Sequence, residues 1–143
     1  MRQVGLIIFL IVWFWNLTYS QNQCNCDVYK VQIKEAESNL DKKDFESFNT
    51  SLKTIKANNG FCKQIKLALS IDAFISQNEV DKADSIKNEF QKLVTKESCG
   101  SSLALFYCSK GSLFLKQNLF DSATACLIKA QDLSINLKTL YFN

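Results

Sequence analysis

Histidine and proline are absent from this 143-residue chain, glycine occurs only four times and methionine once. Without histidine there is no His-based catalytic triad, no imidazole metal ligand and no general base of the commonest kind. Without proline, and with only Gly60, Gly100 and Gly111 beyond the first twenty residues, helices can run long without their strongest interrupters. Those glycines are too scattered for a phosphate-cradling loop or a dinucleotide fingerprint. Cys24-Asn25-Cys26 lacks the two-residue spacer of a zinc or redox pair, and no other cysteines lie that close together. No metal and no cofactor is therefore expected. The carboxylates that do cluster, Asp41 with Asp44 and Glu35 beside Asn39, sit among lysines as ordinary solvated charges, so neither catalytic residues nor enzymatic activity is expected. The formal charge is +3, but Arg2 stands in the leader and the sixteen lysines are interspersed with fourteen acids. No basic patch emerges, which argues against nucleic acid as a partner.

The amino terminus reads as a secretory signal over residues 1–20. Arg2 supplies the positive start, and Val4 to Trp15 form an uninterrupted apolar run. That run is too short to span a bilayer core of about 30 Å. A polar exit follows, and Thr18 and Ser20 are the small residues a signal peptidase would read before Gln21. The alternatives are an uncleaved helix anchoring the chain to a membrane, and lipid attachment at Cys24, whose preceding Gln21-Asn22-Gln23 lacks a lipobox. With the leader removed, no membrane span is expected. Cys24, Cys26, Cys62, Cys99, Cys108 and Cys126 then belong to an exported chain, secreted or periplasmic, in which disulfides persist.

Apolar residues make up 47% and charged residues 22% of the chain, enough to bury a core. Their spacing is helical throughout. Tyr29, Ile33, Ala36 and Leu40 share one face, the turn Asp41-Lys42-Lys43-Asp44 follows, and Phe45, Phe48, Leu52 and Ile55 form a second stripe running toward Asn58-Asn59-Gly60, where Gly60 can take the left-handed conformation that ends a helix. The plan recurs with Leu67, Ile71 and Phe74, the turn Gln77-Asn78-Glu79, then Ala83, Ile86, Phe90 and Leu93. It recurs again with Phe106, Tyr107, Gly111 and Phe114, then Phe120, Ala123, Leu127 and Ala130. Phe48, Ala83 and Ala123 occupy equivalent places 35 and 40 residues apart, a stacked-repeat period. The units expected are a flexible amino terminus at 21–26, repeats at 27–59, 62–97 and 103–137, and a tail at 138–143 that ends the last helix or begins another.

Cys26, Cys62 and Cys99 each stand just before the first helix of a unit, at one common end of the hairpins. A bridge from Cys62 to Cys99 would clamp the second hairpin and one from Cys26 to Cys62 the first; the former is slightly preferred because it leaves the amino terminus free. Cys108 and Cys126, about equally far from the third turn, are candidates to pair across it, against the alternative of buried free thiols.

The third unit resembles the tetratricopeptide repeat, on Tyr107, Gly111, Phe114, Phe120, Ala123, Leu127 and Ala130. Gly111 and Ala123 let two backbones approach, and Phe114 and Phe120 are expected to fill the space around them. The second unit keeps Leu67, Phe74 and Ala83 but places Lys87 and Phe90 where the family has an aromatic and an alanine. The first keeps Ala36, Phe45 and Leu52, with bulky Phe48 at the small position. The resemblance implies an all-α fold, three antiparallel helix pairs stacked as a short right-handed solenoid after the signal helix. It also implies a non-enzymatic scaffold outside the cytoplasm that binds a protein or peptide in a groove along the first helices, here Ile33, Glu37, Asp41, Asp72, Ile75, Ser112, Leu115 and Lys116. The carboxyl end stays apolar to the last residue, where a terminal repeat normally has a polar cap. This raises two alternatives: an extracytoplasmic sensor fragment of a larger signalling protein, and a self-associating helical bundle that forms a homo-oligomer.

Overall fold

The computed structural model describes residues 26–57, 60–96 and 100–141. The leader at 1–20, its cleavage site, Cys24 and Cys99 lie outside the described residues. Among the described residues, a 3-10 turn at Asp27–Tyr29 is followed by six helices: α1 (Lys30–Asp41), α2 (Phe45–Thr54), α3 (Gly60–Ser76), α4 (Val80–Lys96), α5 (Gly100–Lys116) and α6 (Phe120–Tyr141). There is no strand among the described residues. α6 runs past 137 to Tyr141 without a break.

Short turns fold the helices into three hairpins, and all three turns are built alike. Lys43, Asn78 and Asn118 adopt positive φ angles of 58°, 62° and 61°. The amide of each donates to a carbonyl three residues back, at Leu40, Ile75 and Leu115, and the next amide donates five residues back, to Asn39, Phe74 and Phe114. This double closure satisfies carbonyls that the end of a helix leaves unpaired. The carbonyl of that next residue then accepts the amide of Phe48, Ala83 or Ala123 to start the second helix. The spacing legible in the sequence therefore marks one repeated backbone geometry. At the first turn Asp44 also caps α2, its Oδ1 accepting the Ser47 amide at 3.1 Å. Hydrogen bonding to Ser47, first by its side chain and then by its amide, holds the Asp44 carboxyl below the usual carboxylate range.

Among the described residues, two buried apolar clusters link neighbouring helices. One joins Ala36 of α1, Phe48, Leu52 and Ile55 at α2, and Leu69 and Ala73 of α3. The other joins Leu67, Ala68 and Ile71 of α3, Ala83, Phe90 and Val94 of α4, and Phe106 and Leu113 of α5. α3 thus turns one face to the first hairpin and another to its own partner and α5. Between α4 and α5, Phe90 and Phe106 meet edge to face, their ring centroids 5.4 Å apart. Gln64 of α3 is fully buried and its Oε1 accepts from Ser102 Oγ of α5.

Bulky Phe48 is 2% exposed and shares one buried cluster with the small Ala36 of α1. In the second hairpin Ile71 and Ala83 are both fully buried in one cluster, and in the third the small residues Gly111 and Ala123 come close, a Cβ on Gly111 lying 3.5 Å from the Ala123 carbonyl. α2 ends at Thr54, earlier than the expected stop, because Ile55 is extended and its side chain fully buried. Lys66 Nζ of α3 donates to the freed Ile55 carbonyl at 3.1 Å. Gly60 does take the left-handed conformation, φ +66°, but as the first residue of α3.

Cys62 is bonded to Cys26, not to Cys99, with Cα atoms 5.2 Å apart. The physical reason is that α1 and α3 pack against each other with their amino ends adjacent, which brings the pair within bridging distance. Across the third hairpin the candidate pair does not form, and Cys108 and Cys126 are both free. Cys126 is buried, whereas Cys108 lies on an exposed flank of α5 near Asp72 of α3.

Candidate functional site

The expected groove residues do fall on the first helices, but they are not alike. Ile33 packs against the first buried cluster and Ile75 against the second. Glu37, Asp41, Leu115 and Lys116 are exposed, while Asp72 and Ser112 are half-buried. Burial raises the Asp72 carboxyl from 3.8 to about 6, since a carboxylate loses hydration in an apolar surround. Burial, then the Asp72 charge, also raises the Cys108 thiol. This face therefore holds one desolvated acid beside one thiol, with the isoleucines occupied in packing.

A better-formed concavity lies between the first and second hairpins. It measures about 240 Å³ and is lined by Phe48, Asn49 and Leu52 of α2, by Ser70, Ala73, Phe74 and Gln77 of α3, and by Glu79 and Lys82 around the second turn. Phe48, Leu52, Ala73 and Phe74 make its floor apolar. Its rim is polar and partly braced: Lys82 Nζ lies 3.0 Å from Glu79 Oε2 and 5.6 Å from the centre of the Phe74 ring, and Gln77 Nε2 donates to the Ala73 carbonyl at 3.2 Å. The ammonium is held over an aromatic face while still within reach of solvent. Ligand pockets for small molecules usually start near 300 Å³, so this cleft suits one bulky side chain of a larger partner. Sequence periodicity had assigned Phe48, Leu52 and Phe74 to packing stripes; their second role, facing a cleft between hairpins, has no signature in a single stripe.

Around the third hairpin the residues of the repeat resemblance divide. Ala123 and Ala130 are buried, and a Cβ built on Gly111 would come within 2.9 Å of Leu127 Cδ2. Tyr107 packs edge to face on Phe106, centroids 5.6 Å apart, with Lys129 Nζ over its ring. Lys110 lies between the rings of Phe106 and Phe114. Phe120, expected to fill space near Gly111, is instead 61% exposed.

Groups of three or more residues suited to hold a metal are absent among the described residues. No described helix is long and apolar enough to cross a membrane. In comparisons with family models, curated proteins and solved structures, nothing matches this chain.

Proposed function

We propose that this chain is a non-enzymatic interaction scaffold that works outside the cytoplasm, a short right-handed stack of three tetratricopeptide-like hairpins presenting a cleft to a protein or peptide partner. The observation that carries the reading is the cleft between the first two hairpins, with an apolar floor of Phe48, Leu52 and Phe74 and a polar rim at Asn49, Glu79 and Lys82. Such a site takes an aromatic or branched aliphatic side chain while the rim orients the flanking backbone. The matching turns at Lys43, Asn78 and Asn118 support the repeat stack. The Cys26–Cys62 bridge suits an oxidising compartment, as export by the leader would supply.

The test is affinity capture of partners by the full chain, with two sets of variants compared. Asn49→Lys and Lys82→Glu alter the cleft rim without touching a buried core residue, and should abolish capture. Asp72→Asn and Lys116→Glu alter the first-helix face and should leave it intact. Loss confined to the second set would move the site to that face, and capture unaffected by both sets would sink the scaffold reading.

A further inference from the structure

The cleft between the first two hairpins has a counterpart one repeat on. With the turns at Lys43, Asn78 and Asn118 superposed, Asn49 and Leu52 of α2 correspond to Asp84 and Lys87 of α4, and Ser70 and Phe74 of α3 to Lys110 and Phe114 of α5. At the junction of the second and third hairpins, two lysine stems take up this place. The Lys87 side chain is 13% exposed, its Nζ 2.6 Å from Asp84 Oδ1. Lys110 is half-buried, its Nζ 5.8 Å from the centre of the Phe106 ring and 5.5 Å from that of Phe114. At the junction of the first and second hairpins, Asn49, Leu52 and Ser70 replace Asp84, Lys87 and Lys110, and none of them is charged. A hydroxymethyl group stands where Lys110 has a four-carbon stem, and the concavity of about 240 Å³ lies against it. The small side chain of Ser70 therefore opens the cleft.

The walls narrow what can enter. Phe48, Leu52 and Phe74 are apolar, and Glu79, the acid of the lining, already holds Lys82 Nζ at 3.0 Å with each carboxylate oxygen. A charged group drawn in among them loses hydration without a free opposite charge to meet it, so the fitting occupant is uncharged. Lys82, the cation of the lining, keeps its side chain 63% exposed and its ammonium 5.6 Å from the centre of the Phe74 ring. Lys110 shows that an ammonium in this chain accepts rings on two sides. A ring placed against Phe74 gives Lys82 a second aromatic face and adds a ring–ring contact, neither of which an aliphatic side chain supplies. We propose, building on the cleft as the partner site, that it takes an uncharged aromatic side chain of the partner, with Lys82 selecting the ring and Ser70 admitting it.

NMR titration of the full chain with three pentapeptides tests this, each with phenylalanine, cyclohexylalanine or leucine at the centre of glycine and serine. Cyclohexylalanine keeps the bulk of the ring and removes its π face. The phenylalanine peptide should bind about two- to fivefold more tightly than the cyclohexylalanine one, the range of a cation–π contact at an exposed site. Lys82→Met should erase that preference, and Ser70→Lys should abolish binding at unchanged helical circular dichroism while Ser70→Ala retains it. Equal binding of phenylalanine and cyclohexylalanine, tighter binding of leucine, or a preference that survives Lys82→Met overturns the aromatic occupant. Binding that survives Ser70→Lys overturns the role of Ser70. Silence from all three peptides also overturns the proposal, and affinity capture of partners then separates it from the cleft itself: capture lost in Ser70→Lys keeps the cleft as the partner site, and capture retained removes it.

Discussion

Gly111 and Leu127 are matched across the third hairpin: the space a Cβ on Gly111 would occupy is held by the Leu127 side chain, 2.9 Å from Cδ2 and 3.0 Å from Cγ, with the Ala123 carbonyl at 3.5 Å. The close approach of α5 and α6 thus depends on a missing side chain on one helix and a leucine reaching from the other.

Gly111→Ala brings two opposed effects. Alanine in a helix interior is worth about 1 kcal/mol over glycine, while Leu127 must move aside, which its 38% exposure permits. The expected stability is within about 1 kcal/mol of wild type. Gly111→Val adds methyls toward the Ala123 carbonyl and is expected to cost about 2–3 kcal/mol. Urea denaturation of both variants checks the contrast; equal stability of the two would show that the helices are not in close contact here.

Lys43, Asn78 and Asn118 share a left-handed conformation, yet only asparagine tolerates it well. Lys43→Gly is expected to stabilise the chain by about 0.5–1 kcal/mol, and Asn118→Gly by less. Thermal melts would measure this order, and a destabilised Lys43→Gly would mean that the lysine side chain contributes something the turn geometry does not show.

The Cys26–Cys62 bridge spans a sequence separation of 36 residues. Closing a loop of that length in the unfolded chain corresponds to about 4 kcal/mol in the chain-entropy model, and measured effects run about 2–4 kcal/mol. Cys26→Ser and Cys62→Ser should each lower stability by that amount, and reductant should affect the wild type alone. Peptide mapping without reduction should recover a Cys26–Cys62 linked pair; a Cys62–Cys99 link would refute the assignment.

Asp72 binds its proton more tightly in the folded chain, at about 6, than at its ordinary value of 3.8. The ionised carboxylate therefore opposes folding above about pH 6, and this cost fades as the pH falls toward 4. Asp72→Asn should raise stability at pH 7.5 by up to about 3 kcal/mol, the free-energy equivalent of the interval between the two values. It should also flatten the stability profile between pH 4 and 6. Denaturation midpoints across that range decide it, and a variant with the wild-type profile would show that Asp72 stays hydrated.

The helices and their hairpin order were legible in the sequence because each depends on local rules: apolar spacing near 3.6, no proline, and turn residues between stripes. Phe48, Ala83 and Ala123 hold equivalent places in the period, and the matching hydrogen bonds at their turns give the reason. Which residues form a concave surface was not legible. Ile33 and Ile75 share a helical face with true surface residues, and only the packing of one hairpin on the next turns them inward.

Composition and spacing alone determined that this chain is helical, built on a repeated hairpin, and without the side chains of histidine-based chemistry, since these follow from residue identity and the period of a helix. Tertiary structure decided the rest: the Cys26–Cys62 partnership, the burial of Phe48 in one cluster with Ala36, the cleft at Phe74 and Lys82, and the exposure of Phe120. Each of these depends on distances between residues far apart in the chain. Those distances are set by how whole hairpins pack, and no local pattern encodes them.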